Sequence, residues 1–152
     1  MTGDDVKAMV KAAGIADIGS GDCVALHTGQ GNTWSNDKYK GMNSEQRAAA
    51  RAIWAKGEPG FGFSACEYMA SRDIALQMGD TSANDAQPFG EQGNEHAVPC
   101  HTGNQTRRGI WNLENVDTKS LVDAGIKEAA FIWAPLRIIG ATGSPGNPVV
   151  LY

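Results

Sequence analysis

The side chains that could bind a metal or act as a nucleophile are few in this sequence. It has three histidines and three cysteines, which are His27, His96, His101, Cys23, Cys66 and Cys100. The cysteines are widely spaced and form no CxxC pair, so neither a disulfide framework nor a structural zinc site is indicated. We expect all three to be free thiols that pack as small buried side chains. His27 is expected to be a core or edge histidine with one satisfied nitrogen.

Three short motifs that could support other chemistries are incomplete. The run 142–146 is similar to a Gly-x-Ser-x-Gly elbow, but it begins with Thr, and Pro145 restricts its turn. Cys100 and His101 are neighbours whose side chains point to opposite faces of an extended segment, so they are not expected to form a dyad. The run 29–31 lacks the third glycine of a dinucleotide fingerprint, and no P-loop is present. Serine hydrolases and nucleotide-binding enzymes are therefore disfavoured.

Alternating helix and strand patterns must position these side chains. Helices are predicted over 1–14, from Asn43 or Ser44 to about Lys56, after a capping box of Ser64 and Glu67, and over 118–124. Strands are predicted over 22–28, 74–78, 110–113, 129–138 and 149–152. The polar stretch 79–103 is expected to be a long loop at the lip of a site. The order of elements predicts one α/β or mixed α+β domain that covers residues 1–152.

Composition excludes several classes of protein. The chain of 152 residues is 41% hydrophobic and 20% charged, as expected for a globular domain. A net charge of −4 with scattered lysines and arginines disfavours nucleic acid as a partner. The apolar runs are too short to span a membrane, and the N-terminus does not resemble a signal peptide. The expected location is therefore the cytoplasm.

Several longer motifs resemble one family. They are Gly-Ile-x-x-Leu-Glu-Asn at 109–115, Ala-Pro-Leu-Arg at 134–137, Gly-Ala-Thr-Gly-Ser-Pro-x-Asn-Pro at 140–148, the Gly-Asp-x-Val strand at 21–29 and Gly-Asp-Thr at 79–81. Together they resemble the C-terminal half of the cyclase family of metal-dependent hydrolases, which includes kynurenine formamidases and isatin hydrolases. The resemblance implies a truncated form of that fold, in which helices flank a central barrel-like mixed sheet.

The resemblance also implies site residues. By alignment with the family motif, His101 and Glu114 stand at the late metal-ligand positions, and zinc or manganese suits their imidazole and carboxylate. The family's main motif, His-x-Gly-Thr-His-x-Asp-x-x-x-His, does not occur in the sequence, and His96 is the candidate for a third ligand. Asp80, Thr81 and Ser144 are carried over as pocket wall for a small-molecule ligand, and no residue is assigned a catalytic role.

Two functions from different classes follow from this resemblance. The first is a shortened metal-dependent hydrolase of small, cyclic amides, which is expected to be inactive as an isolated chain because two protein ligands are too few. The second is a non-catalytic scaffold or binding protein that keeps the fold without metal. Exposed sheet edges predict a homo-oligomer, most simply a dimer, and a separate chain that carries the N-terminal half is a further expected partner.

Overall fold

The computed structural model describes residues 1–33, 36–88 and 97–152. Its helices are α1 (Gly3–Ala13), a 3₁₀ helix (Gln30–Thr33), α2 (Asn36–Gly41), α3 (Ser44–Trp54), α4 (Phe63–Ser71), a π-helix (Cys100–Arg107) and α5 (Lys119–Asp123). Its strands are β1 (Cys23–Leu26), β2 (Leu76–Gly79), β3 (Trp111–Leu113), β4 (Ala130–Ile132) and β5 (Val149–Leu151). Among the described residues, none of the helices combines the length and the apolar composition that a membrane span needs.

The strands form two sheets. Parallel strands make the first, in the order β1-β2-β3, with Cys23 beside Leu76 and Leu76 beside Trp111. The second is the antiparallel pair β4-β5, in which Ala130 faces Leu151. The predicted mixture of helices and strands is confirmed. Within the described residues the two sheets stay separate and do not close into a barrel.

One core lies between the parallel sheet, α1, α4 and the π-helix. Its buried members are Val6, Ile18, Leu26, Phe61, Ala65, Cys66, Met69, Ile74, Cys100 and Ile110. We call the described residues up to Thr118 the parallel-sheet unit. This core fixes α4 and the π-helix against the sheet, and these elements carry the groups discussed below.

Helix ends follow the local sequence closely in α1 and α3. Thr2 caps α1 by accepting a hydrogen bond from the Asp5 N–H, and Gly14 ends the helix with a φ of 71°. Asn43 caps α3 and forms a capping box with Gln46. Both helices were predicted, and their bounds agree with the prediction to within two residues.

The predicted capping box of Ser64 and Glu67 is wrong, although the helix that it announced exists. Gly62 is the N-cap of α4 and makes no side-chain cap hydrogen bond. The hydroxyl of Ser64 instead accepts a hydrogen bond from the Gly3 N–H at 3.2 Å, which joins the starts of α1 and α4. Glu67 forms an ion pair with Arg108. Ser64 and Glu67 therefore bond to residues that are distant in sequence instead of capping α4.

Three other expectations need correction. The stretch 79–103 is not one long loop, because the π-helix begins at Cys100 and the residues from Asp80 to Asp85 are mostly buried. β4 stops at Ile132 and does not reach 138, which agrees with Pro135 lacking the N–H that a ladder needs. Cys23 is exposed rather than buried, since β1 is an edge strand of the parallel sheet.

Residues 119–152 form what we call the C-terminal arm, which consists of α5, β4, β5 and their connections. The structure describes the whole arm, and none of its residues is buried. Eight of its large apolar side chains are exposed: Val122, Ile132, Leu136, Ile138, Ile139, Val149, Leu151 and Tyr152. A T-shaped contact between Trp133 and Trp111 of β3, with ring centroids 5.5 Å apart, joins the arm to the parallel-sheet unit.

Candidate functional site

Polar side chains collect where the three parallel strands end. His27 and Thr28 follow β1, Asp80 follows β2, and Glu114 and Asn115 follow β3. Since the strands are parallel, these ends meet at one edge of the sheet. Open parallel sheets of α/β proteins bind ligands in the crevice at this edge. The carboxyl edge is therefore the first place to examine for a site.

Asp80 fastens the end of β2 to the loop after β1. Its Oδ1 accepts hydrogen bonds from the N–H and the hydroxyl of Thr28, at 2.9 and 2.7 Å, and its Oδ2 accepts one from the Gly29 N–H at 2.9 Å. Burial acts to raise the pKa of this carboxyl, but the hydrogen bonds from Thr28 and Gly29 outweigh it and lower the pKa. Asp80 is therefore a carboxylate at neutral pH.

His27 lies beside this carboxylate. Its Nδ1 is 2.8 Å from the hydroxyl of Thr118 and 3.4 Å from Oδ2 of Asp80. One ring nitrogen is thus satisfied, as the sequence led us to expect. The contact ties the first residue after β1 to the start of α5.

His101, at the start of the π-helix, lies between two carboxylates. Its Nδ1 is 2.5 Å from Oδ2 of Asp85, and its Nε2 is 3.0 Å from Oε1 of Glu114. Asp85 is completely buried, whereas the side chains of His101 and Glu114 are 37% and 31% exposed. One face of this Asp85–His101–Glu114 triad is therefore fixed in the protein, and the other is open to solvent.

The two carboxylates control the charge of the imidazole. The hydrogen bond to Asp85 and then that to Glu114 raise the pKa of His101 to about 10, against a smaller opposing effect of burial. His101 is thus an imidazolium at neutral pH and donates one N–H to each carboxylate. A proton lies between its Nε2 and Glu114.

Asp85 is held by the backbone as well as by His101. Its Oδ1 accepts a hydrogen bond from the Cys100 N–H at 2.6 Å, and its own backbone forms an isolated bridge with Phe61. Both carboxylate oxygens therefore have donors, which the burial of a charge requires. Asp85 therefore fixes the ring of His101 on its Nδ1 side.

A chain of buried amides supports Glu114. Asn112 donates to Oε1 of Glu114 at 2.8 Å, and its own Oδ1 accepts from Gln77 and Asn84 at 3.1 and 2.8 Å. Gln77 also donates to the carbonyl of Cys100 and accepts from Asn104. Gln77, Asn84 and Asn104 are each 0% exposed. The amide network thus links β2, β3 and the π-helix and fixes the position of Glu114 relative to His101.

A cleft opens along the carboxyl edge, and none of the three triad residues is in its lining. Its volume is about 380 Å³, and Asn115, which directly follows Glu114, is part of its wall. The rest of the lining includes Gly31, Lys38, Trp54, Asp80 and residues 116–119. The volume is that of a site for a small molecule.

The structure places the predicted site residues as follows. His101 and Glu114 are in contact, and Asp80 lines the cleft. Thr81 is 1% exposed, and its hydroxyl lacks a hydrogen-bond partner within the described residues. Ser144 lies in the C-terminal arm, where its hydroxyl accepts from the Leu136 N–H. His96 lies outside the described residues, so its use as a ligand stays a prediction.

Sequence reasoning missed Asp85 and the amide network. Asp85 lies 16 residues before His101, a separation that matches no local motif. Gln77 and Asn112 stand in strands that were predicted for their apolar neighbours. The only signal in the sequence was a polar residue inside each apolar strand, which requires a buried partner.

The geometry of His101 and Glu114 fits a shared metal ion in part. Zinc lies about 2.0–2.2 Å from imidazole nitrogen and carboxylate oxygen. Ligand atoms 3.0 Å apart can share such an ion with little movement, once it displaces the proton between them. Asp85 on the other ring nitrogen is the usual orienting partner of a metal-bound histidine. In the described part, three ligand-type side chains that are close enough to hold an ion are Cys66, Asp85 and Cys100, and this group shares Asp85 with the triad.

Comparisons with known proteins concern the family and the fold of the chain. The sequence model of the Cyclase family matches residues 1–86, and no curated protein sequence matches the chain. A crystal structure described as a novel cyclase superposes with a TM-score of 0.76 at 23% identity, over 99% of this chain and 46% of that one. An isatin hydrolase bound to the product analogue thioisatinate superposes with a TM-score of 0.70 at 27% identity, over 100% of this chain and 52% of that one. The chain spans about half the length of these two proteins.

Proposed function

Because the chain belongs to the Cyclase family, we propose that it contributes to a metal-dependent hydrolase of small amides. The observation that carries the proposal is the Asp85–His101–Glu114 triad at the carboxyl edge of the parallel sheet. In this proposal His101 and Glu114 are ligands of zinc or manganese, and Asp85 orients His101. The isatin hydrolase among the similar structures favours a cyclic amide as the substrate.

A bound ion of this type supplies Lewis acidity, which makes water a nucleophile near neutral pH and polarises a carbonyl group. The protein's own part is to hold the ligands in place. Asp85 accepts a hydrogen bond from the Nδ1–H of His101 and so leaves Nε2 as the ligand atom. Asn112 donates to Glu114 and keeps its Oε1 directed at His101.

The cleft beside Asn115 is the proposed substrate site. Asp80 lies in its wall, and its carboxylate is engaged with Thr28 and Gly29, so its role there is to shape the wall and not to exchange protons. Of the other residues predicted to be pocket wall, Thr81 is buried next to Asp80. Ser144 in the arm is not in the lining of this cleft, so we assign it no part in binding.

Hydrolysis of isatin and of simple formyl amides tests this proposal, with zinc or manganese added and then removed by a chelator. In a complex that supplies the remaining ligands, we expect turnover that the chelator abolishes and that is lost in His101→Ala and Glu114→Gln, whereas the isolated chain should be inactive. Glu67→Gln is the matched control, because Glu67 is a half-exposed carboxylate paired with Arg108 on the outside of α4. Turnover that His101→Ala leaves unchanged would refute the proposal.

A second candidate function is a binding protein without metal chemistry. The observation that favours it is the direct contact of His101 with Glu114, which satisfies both side chains in the absence of an ion. A catalytic zinc site normally uses three protein ligands, and the pair supplies two. Binding of a cyclic amide in the cleft without any turnover, with or without metal, would favour this candidate.

The remaining ligands have to come from elsewhere under the hydrolase proposal. His96 is one source, and another chain, including one that carries the other half of the fold, is a second. Purification of the complex from the native host tests for such a chain. Recovery of the chain alone, with full activity, would exclude a need for it.

We also propose that the C-terminal arm pairs with a second copy of this chain. The accessible surface is 9300 Å², whereas a folded monomer of 16.1 kDa exposes about 7,400 Å². The excess of about 1,900 Å² is more than the roughly 800 Å² that each partner buries in a standard interface. The apolar side chains of β4 and β5 and the free edges of their sheet suit a two-fold dimer.

A further inference from the structure

Two buried thiols lie side by side beneath the triad. Cys66 is on α4, Cys100 is the first residue of the π-helix, and both are 0% exposed. Their Sγ atoms are 2.7 Å apart, which is about 0.7 Å longer than a disulfide bond. We propose that Cys66 and Cys100 form a modification site, at which a two-electron oxidant converts the thiol pair into an intramolecular disulfide. This inference does not depend on the proposed function.

Packing keeps the two sulfur atoms together. Cys66 lies in the core with Phe61 and Met69, so α4 cannot rotate it away without disturbing that core. Cys100 is fixed through its backbone, whose N–H donates to Asp85 and whose carbonyl accepts from Gln77. Closing the bond therefore requires only a small movement of side chains and leaves the backbone contacts in place.

A zinc ion is the main competitor for these thiols. Cys66, Asp85 and Cys100 place one ligand atom each within 4.8 Å of one another. Two thiolates on tetrahedral zinc, each about 2.3 Å from the ion, lie roughly 3.7 Å apart, about 1 Å more than the separation found here. In addition, both oxygens of Asp85 already accept hydrogen bonds, from Cys100 and His101. The geometry thus favours a bond between the sulfurs over a metal.

The reaction with hydrogen peroxide balances without any further component. One thiol is oxidised to a sulfenic acid and releases water, and the second thiol then displaces a second water to form the disulfide. In total, two thiols lose two electrons and two protons, and one peroxide becomes two waters. Because both thiols are buried, the oxidant reaches them only through local opening, and the reaction should be slower than that of the exposed Cys23.

The disulfide would stabilise the part of the chain that holds the triad. It would close a loop between residues 34 apart in sequence, and this loop contains Asp85. From the loop-closure entropy, and for a chain of this size, oxidation should raise Tm by about 8–15 °C. The start of the π-helix, and with it His101, would be tied covalently to α4.

The test uses the Cys23→Ser protein, so that the exposed thiol cannot react. After mild peroxide treatment we expect a loss of two hydrogens by intact mass, a tryptic product in which peptide 57–72 is linked to peptide 73–107, and the rise in Tm. Dithiothreitol should reverse all three. Cys66→Ala and Cys100→Ala, each in the Cys23→Ser background, should show neither the link nor the shift in Tm, whatever their own stability.

Three results would overturn the inference. The first is oxidation of either cysteine to sulfinic acid with no linked peptide. The second is a link that forms only after unfolding in urea. The third is about one zinc ion per chain that is lost in the Cys66→Ala variant and that protects the thiols of the Cys23→Ser protein, because the cluster would then be a metal site.

Discussion

In the parallel-sheet unit, Gln77, Asn84 and Asn104 are completely buried, whereas Ile139 in the C-terminal arm is fully exposed. The unit encloses polar side chains because each finds partners across β2, β3 and the π-helix. The arm exposes apolar side chains because a two-stranded sheet offers nothing to cover them. Polarity alone therefore does not decide burial in this protein.

The contrast also separates family resemblance from chemistry. The arm carries the Ala-Pro-Leu-Arg run and the Gly-Ser-Pro loop, two of the motifs from which the resemblance was drawn, yet it lies outside residues 1–86 that the family model matches and contributes no member of the triad. Asp85, which lies in no recognised motif, is the buried partner of His101. Motifs indicate the family here, and the tertiary contacts of the unit build the candidate site.

The largest expected difference concerns stability. Met69 is 0% exposed in the unit, and Leu136 is 58% exposed in the arm. Met69→Ala should cost about 2–5 kcal/mol of unfolding free energy because it leaves a cavity. Leu136→Ala should stay within about 0.5 kcal/mol. Urea unfolding at low protein concentration measures both, and a cost for Leu136→Ala equal to that for Met69→Ala would mean that the arm is as covered as the core.

The next largest expected effect is the loss of unfolding free energy in Asp80→Asn, and this loss should depend on pH. The pKa of Asp80 in the folded state lies below the ordinary value of 3.8, so its contribution to stability is complete above that value and is lost as the pH falls through the folded pKa. Asp80→Asn should cost about 1–3 kcal/mol at pH 7, since the amide has one acceptor oxygen and its NH2 group would face the N–H donor of either Thr28 or Gly29. The difference from wild type should shrink below about pH 4.

Asp4→Asn is the matched control for Asp80→Asn, because the side chain of Asp4 is 92% exposed and is paired only with Lys7. It should leave stability at pH 7 nearly unchanged. Unfolding curves of the three proteins between pH 7 and 3 make the comparison. A difference between wild type and Asp80→Asn that does not change with pH would contradict the assigned role of Asp80.

The proposed dimer gives a third comparison between the regions. Ile132 of the arm is 54% exposed, and Ile53 of α3 is 47% exposed. Light scattering at micromolar concentration should find a dimer, and Ile132→Asp should weaken it at least tenfold, or about 1.4 kcal/mol. Ile53→Asp should leave the dimer intact. A wild-type monomer, or equal effects of the two substitutions, would remove the arm as the interface.

Ion pairs give the smallest effects. Arg108 and Glu67 join the π-helix to α4 in the unit through two hydrogen bonds, whereas Lys119 and Asp123 are a pair within α5 of the arm. Glu67→Gln should cost about 0.2–1 kcal/mol, and Asp123→Asn about 0.3–0.5 kcal/mol or less. High salt should reduce both costs. A larger cost for Asp123→Asn than for Glu67→Gln would contradict the expectation that the ion pair of the unit contributes more to stability than that of the arm.

The elements that the sequence predicted well are those whose signals are local. Thr2 and Gly14 bound α1, and Asn43 begins α3, because caps act within a few residues. The parallel strands were found from short apolar runs. In the arm, β4 was predicted too long, since the apolar run continues past Ile132 although no third strand of the described chain pairs with it.

The parts that could not be predicted depend on contacts between distant residues. The hydroxyl of Ser64 accepts a hydrogen bond from Gly3 instead of capping its own helix. Asp85 contacts His101 because the fold brings residues 61 and 85 together. The π-helix arises in a sequence that reads as a polar loop. The contact between His101 and Glu114 was expected from the family resemblance alone, since their spacing follows no helix or strand period.

The most direct test of the site is metal content per chain after incubation with zinc and removal of unbound ion, measured by elemental analysis. We predict bound zinc in the wild-type protein that is lost in His101→Ala and in Glu114→Gln and kept in Glu67→Gln. Asp85→Asn should reduce it by roughly 10–100-fold in affinity, as expected for an orienting partner. The same zinc content in His101→Ala as in wild type would contradict the account, because the ion would then be bound elsewhere.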